Sequence, residues 1–199
     1  MRIVIAGLYR SGSTWLFNVV RLICQQHGTV YSCFGDKYEA YEAMKYDFQV
    51  VKVHKFDEIW IKDSVILTSW RPWREVRKSM IRLRQQGHTG NKTQHIRLVS
   101  FIEDLARWNC HNNYMMHFED IYTRPYGVIN DVSAAIGLEC NTRKIFNKVS
   151  KIKPPSKGVD NKTLLHAGHI TKFYSKKDFK KYSYGTKKSN KKKDYHKDK

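Results

Sequence analysis

The stretch Ile3-Val4-Ile5-Ala6-Gly7-Leu8-Tyr9-Arg10-Ser11-Gly12-Ser13-Thr14-Trp15 passes from a short apolar run, through a glycine-bracketed loop, into the apolar segment Trp15 to Cys24. It predicts an N-terminal strand, a tight loop and a buried helix. The free backbone N–H groups at the start of such a helix point at whatever lies over the loop, and that geometry favours a phosphate or sulfate. The loop therefore reads as an anion cradle. Its glycines fit the G-x-x-x-x-G-K-[ST] phosphate loop, but Ser13 stands where that pattern has its lysine, and the cation has moved to Arg10 on the loop itself. A magnesium-dependent NTPase also wants an acidic ligand at the end of a neighbouring strand. The two best later strands, Val50 to Val53 and Val65 to Thr68, lead instead to His54 and Arg71. The expected site is cationic and metal-free.

Beyond the first helix, which closes near His27-Gly28, Thr29 to Phe34 reads as a second strand and Asp36 to Lys45 as a short helix with Asp36 as its N-cap. Phe48 to Val53 is the third strand, in a sheet covered on both faces, and His54 emerges at its C-terminal end. Open α/β sheets bind ligands at that edge. Asp57 to Lys62 forms a helical turn, Ser64 to Trp70 a fourth strand, and Pro72 to about Arg84 a helix with proline at its first position. Gln85 to Thr93 reads as a mobile loop, and Gln94 to about Asn112 as a helix whose Leu98, Ile102, Leu105 and Asn109 share a face. Tyr114 to Phe118 is a fifth strand, followed by helices over Tyr126 to Ile136, closed by Gly137, and Thr142 to Lys151. Strands alternating with helices predict an α/β, doubly wound, mainly parallel sheet in a single domain.

The chain has 199 residues, enough for one sizeable core and short for two. Its net charge of +19 is divided between a basic body, residues 1–170, and a tail, residues 171–199, with twelve lysines against three aspartates. The tail has almost no aliphatic residues from Lys176 onward and reads as a disordered basic extension that contacts acidic partners or nucleic acid. A basic body suits an anionic ligand and fits nucleic acid equally well. Cys24, Cys33, Cys110 and Cys140 are scattered, with no C-x-x-C pair, which argues against a zinc site or a disulfide framework and for a reducing compartment. No run approaches eighteen apolar residues and no charged segment precedes a long apolar one, so a soluble, cytoplasmic protein without a membrane span is expected.

The segment Tyr9-Arg10-Ser11-Gly12-Ser13-Thr14-Trp15 resembles the 5′-phosphosulfate loop of the PAPS-dependent sulfotransferases, written Pro-Lys-Ser-Gly-Thr-Thr-Trp or Arg-Ser-Gly-Thr-Thr. Downstream, Lys52-Val53-His54-Lys55-Phe56 is similar to the family's Lys-Thr-His-Leu-Pro, and Arg71-Pro72-Trp73-Arg74-Glu75-Val76-Arg77-Lys78-Ser79 to its Arg-Asn-Pro-Lys-Asp-Val-x-Val-Ser, with the arginine-to-serine spacing kept and the proline one residue early. Met116-His117-Phe118-Glu119-Asp120-Ile121 resembles a structural Tyr-Glu-Asp-Leu segment. Lys157-Gly158 and the run Thr163 to Ile170, with His166 and His169, resemble late segments to which no role is carried over. The resemblance covers about residues 2 to 170, in order.

The resemblance implies PAPS as sulfuryl donor, adenosine 3′,5′-bisphosphate (PAP) as product, and a small-molecule or carbohydrate acceptor offering a hydroxyl or amine. It implies His54 as general base and Lys52 and Arg10 beside the sulfuryl group. Arg10, Ser11, Gly12, Ser13, Thr14 and Trp15 would hold the 5′ end of the donor, and Arg71 with Ser79 its 3′-phosphate. A histidine suits the base because its ordinary pKa lies near neutrality; Asp57 and Glu58 just downstream compete for that role. Trp15 reads as a core anchor or as an adenine-stacking platform as in the family, and stacking is the favoured reading. Arg74, Arg77, Lys78, Arg82 and Arg84 also read as a basic helix face for nucleic acid. A P-loop nucleotide kinase and a basic nucleic-acid-binding protein are the alternative functions.

Overall fold

A computed structural model describes residues 1–85, 98–167 and 169. Five parallel strands form one sheet: β1 (Arg2–Gly7), β2 (Val30–Phe34), β3 (Phe48–Lys52), β4 (Ser64–Trp70) and β5 (Tyr114–His117), in the order β2-β3-β1-β4-β5. Because β1 is central, the chain goes from it to the edge strand β2 and inward to β3 on one side, then crosses to its other side at β4. The C-terminal end of β1 is therefore the switch point of the sheet, where the loops of a doubly wound fold diverge and leave a crevice. The expected fold class is the observed one.

Helix α1 (Ser13–Cys24) is buried along its whole length and lies in the larger core with Ile3, Ile5, Val50, Leu67 and Met116. Helices α6 (Pro125–Ile136) and α7 (Thr142–Val149) cover it on the same face, through Val128, Ile129, Val132, Ile145 and Val149. On the opposite face Val4, Ala6, Val51 and Ile66 pack with Phe56, Trp60 and Trp108. Two apolar faces on β1 explain why its sequence is continuously apolar rather than alternating.

Two expectations are corrected. The helix from Asp36 to Lys45 is broken into a 3-10 turn (Gly35–Lys37), with Asp36 inside it rather than capping it, and a single turn α2 (Ala40–Ala43). Tyr38 between them is extended, its hydroxyl donating to Gln49 Oε1 at 2.8 Å and its ring edge-on to Trp60 at 5.2 Å, so tertiary contacts override the local helical pattern. Helix α4 is described over Leu98–Asn109, and its buried face is rotated from the expected one: Ile102 is 57% exposed, whereas Trp108 is fully buried. The large indole determines the helix orientation by filling the second core. The expected loop over residues 86–93, the helix start at residues 94–97 and the tail at residues 171–199 lie outside the described residues. Among the described residues no helix is long and apolar enough to cross a membrane.

Candidate functional site

The loop after β1 is shaped by three residues at positive φ: Gly7 at 133°, Arg10 at 67° and Gly12 at 93°. A side chain on Gly7 would collide with backbone and side-chain atoms of Ser69 at 2.7 to 2.9 Å, so glycine is required by the close approach to β4 as well as by the turn. Arg10 and Gly12 at positive φ turn the chain tightly into α1, which begins directly after Gly12 and presents the free N–H groups of its first turn at the concavity of the loop. The Ser11 hydroxyl does not face that concavity. It is fully buried, donates to the Leu8 carbonyl at 2.5 Å and meets Ser69 Oγ at 2.6 Å, bracing the loop onto β4. Ser13 is buried in the first turn of α1.

Thr14 is where the elements converge. Lys52, the last residue of β3, donates from Nζ to Thr14 Oγ1 at 2.6 Å, and His169 Nε2 lies 3.4 Å from the same oxygen. Lys52 is only 5% exposed, with Nζ over the Phe34 ring at 5.3 Å. Burial and the nearby Arg10 guanidinium push its pKa down to about 7. Two cations that repel across the mouth of an amide-lined loop form a donor set that an oxyanion would complete.

His54 stands beside this cluster. Its Nδ1 lies 2.8 Å from the Gly7 carbonyl, which can only accept, so Nδ1 carries the hydrogen and Nε2 presents a lone pair. Burial, reinforced by Lys52, pushes its pKa down to about 3, keeping the ring neutral. Tyr9 stacks on it, centroids 3.9 Å apart, and burial with Asp36 and Asp104 raises the Tyr9 phenol. The His54 carbonyl accepts from Trp108 Nε1 at 3.4 Å. Trp108 thus supports the backbone of His54, a link that helical periodicity could not reveal because it depends on α4 crossing the end of β3. The competing carboxylates are engaged elsewhere: Asp57 accepts from Ile59 N at 3.1 Å, and exposed Glu58 pairs with Arg107 at 3.4 Å.

On the other side of β1, Arg71 leaves β4 and lies with its guanidinium 3.8 Å from the Phe118 ring centroid. Its Nε donates to Glu75 Oε2 at 3.0 Å and its Nη1 to the Arg10 carbonyl at 3.1 Å. Ser79, buried in α3 (Trp73–Gln85), accepts from Arg10 Nε at 3.0 Å. The structure thus joins Ser79 to Arg10 rather than directly to Arg71, and Glu75 is the residue sequence reasoning missed, although its i, i+4 spacing from Arg71 carries the signal. Trp15 is 7% exposed within the larger core, the anchor position, and its buried Nε1 has no hydrogen-bond partner among the described residues. Lys157 lies in the segment that leads from α7 to the site.

No family model matches the chain, and no curated protein matches it. Among solved structures, the chain is similar to a retinol dehydratase in a crystal structure with androsterone and the inactive cofactor PAP, with a TM-score of 0.49 and 15% sequence identity. The match covers 74% of this chain and 64% of that chain, so this chain spans less than two thirds of that neighbour's length.

Proposed function

We propose that the protein is a PAPS-dependent sulfotransferase. A sulfuryl group leaves the donor for an acceptor hydroxyl or amine: the new bond to sulfur forms from the acceptor atom, the bond from sulfur to the 5′-phosphate oxygen breaks, and PAP departs. His54 Nε2 takes the acceptor proton. Arg10, Lys52 and the N–H groups of the loop from Gly12 to Thr14 hold the phosphosulfate, and Arg71 with Ser79 the 3′-phosphate. Sulfuryl transfer, like phosphoryl transfer, is served by positioning and by cationic donors around the equatorial oxygens. The catalytic unit is residues 1–170, acting in the cytoplasm on a small molecule or carbohydrate. Residues 171–199 form a basic appendage for acidic partners or nucleic acid.

One observation carries this reading: the Lys52 ammonium occupies the Thr14 hydroxyl. In a phosphate loop that works with magnesium, the hydroxyl at this position coordinates the metal. Here a cation brought from β3 holds that place and also substitutes for the lysine absent at Ser13. This supports a donor bound without a divalent ion over a nucleotide kinase. Thermal unfolding in excess chelator tests it. PAP raises the melting temperature without metal and more than ATP does, because it binds only the folded chain. Stabilisation that requires magnesium, or that favours ATP, overturns the reading in favour of a kinase.

A further inference from the structure

We propose that the segment from Gly158 to Ala167, with His169 at its end, is a strap that closes the anion cradle, and that His169 is a positioning residue fixing the Thr14 hydroxyl toward the bound anion. The proposal rests on the loop being an anion site and not on what the anion carries.

The strap is self-organised. Val159 and His166 form an antiparallel bridge, Asp160 N donates to Leu165 O at 2.8 Å, Leu164 N to Asp160 O at 2.7 Å, and Ala167 N to Gly158 O at 3.2 Å. Asp160 closes the turn by accepting from Thr163 Oγ1 at 2.6 Å and Lys162 N at 3.0 Å. Leu164 and Leu165 are buried at 3% and 8% exposure, so the strap is packed against the body.

The Asn18 side chain clasps it to α1. Asn18 Nδ2 donates to the Thr14 carbonyl and to the Thr163 carbonyl, both at 2.8 Å. Asn18 Oδ1 accepts from the buried Arg21 guanidinium, from Nη2 at 3.1 Å and Nε at 3.3 Å, which fixes the amide orientation. A polar group this deep is costly unless satisfied, and here both Nδ2 hydrogen bonds of Asn18 serve to join the strap to the residue that lines the cradle.

His166 N donates to His169 Nδ1 at 2.9 Å, a shorter contact than the 3.3 Å one between Nδ1 and the His166 carbonyl that would need the other tautomer, and the shorter bond leaves the hydrogen of the neutral ring on Nε2. Burial, helped by His166, Arg10 and Lys52, keeps the ring neutral. Nε2 and Lys52 Nζ therefore both donate to Thr14 Oγ1. With its two acceptor sites taken, the hydroxyl keeps its own hydrogen for a third direction, as a donor to an anion.

The test is titration calorimetry on the full chain with two probes, inorganic pyrophosphate and PAP. His169→Leu weakens both by about tenfold, the scale of one lost hydrogen bond near a charge. His169→Gln, whose amide can reach Thr14, retains affinity within about threefold; the shorter His169→Asn behaves like His169→Leu and replaces it if the leucine variant does not fold. In a Thr14→Val background, His169→Leu has no further effect. Unchanged affinity in His169→Leu and His169→Asn, additive losses in the double variant, or no binding of either probe by the wild-type chain overturns the proposal. Binding of pyrophosphate without PAP overturns the donor reading and leaves the strap standing.

Discussion

Arg10 Nε donates to Ser79 Oγ at 3.0 Å, joining the loop that would hold the 5′ end of a nucleotide to the helix that would hold its 3′ end. Arg71 reinforces the junction by donating to the Arg10 carbonyl at 3.1 Å. The loop and α3 are thereby one hydrogen-bonded unit, and a ligand engaging one would position the other.

It follows that Arg71→Ala costs PAP more than it costs adenosine 5′-phosphate. PAP affinity falls by about 10²-fold or more, the scale of a charge-assisted bidentate contact, and the two ligands converge. Competitive calorimetry measures both. Equal loss for the two ligands would show that Arg71 serves the loop and not the 3′-phosphate.

Lys52 makes binding depend on pH with a definite sign. Its pKa is about 7 in the free chain, and a bound anion raises it, so binding takes up a proton above pH 7. PAP affinity is level below pH 7 and falls by up to about tenfold per pH unit above it, until the raised pKa of the complex is reached. Calorimetry in buffers of different ionisation enthalpy counts the proton directly. Lys52→Met abolishes the uptake and weakens binding at pH 7.

His54→Ala lowers turnover by about 10²-fold or more and leaves PAP affinity nearly unchanged, as expected of a group used in proton transfer. Because burial and Lys52 push the ring's pKa down to about 3, the acid limb of the kcat/KM profile lies well below the ordinary imidazole range. Asp57→Ala and Glu58→Ala have small effects, since those carboxylates cap a turn and pair with Arg107. A large loss in Glu58→Ala with near-normal His54→Ala would reassign the base.

His54 and His169 also predict acid lability. Their folded pKa values, about 3 and about 2, lie below the unfolded value of about 6.5, so the unfolded chain binds more protons in between. The destabilisation from these two groups is absent above pH 6.5 and grows as pH falls toward 3. Denaturant midpoints measured from pH 7 to pH 4 should drop in the wild-type chain and drop less in His169→Gln.

The fold was legible because its signals are local: an apolar run before a glycine-bracketed loop, Pro72 directly before α3, Gly137 closing α6. The positions of Arg10, Lys52, His54, Arg71 and Ser79 in one region were legible as well, because strand ends in a parallel sheet share an edge. What remained hidden is nonlocal. No spacing rule joins Asn18 to Thr163 or Thr14 to His169 across the chain, and none places Trp108 beneath His54. Asp36 failed as a cap because Tyr38 is anchored to Gln49, a contact between different elements that outweighs a local preference.

The position of β1 between β3 and β4 divides labour by side. Lys52 and His54 arrive from the β3 side, Arg71 and Ser79 from the β4 side, and the loop after β1 touches both. A change at Trp108 therefore enters through the His54 backbone and one at Glu75 through Arg71, each from its own side of β1, whereas a change to Arg10 reaches both Ser79 and Lys52 at once.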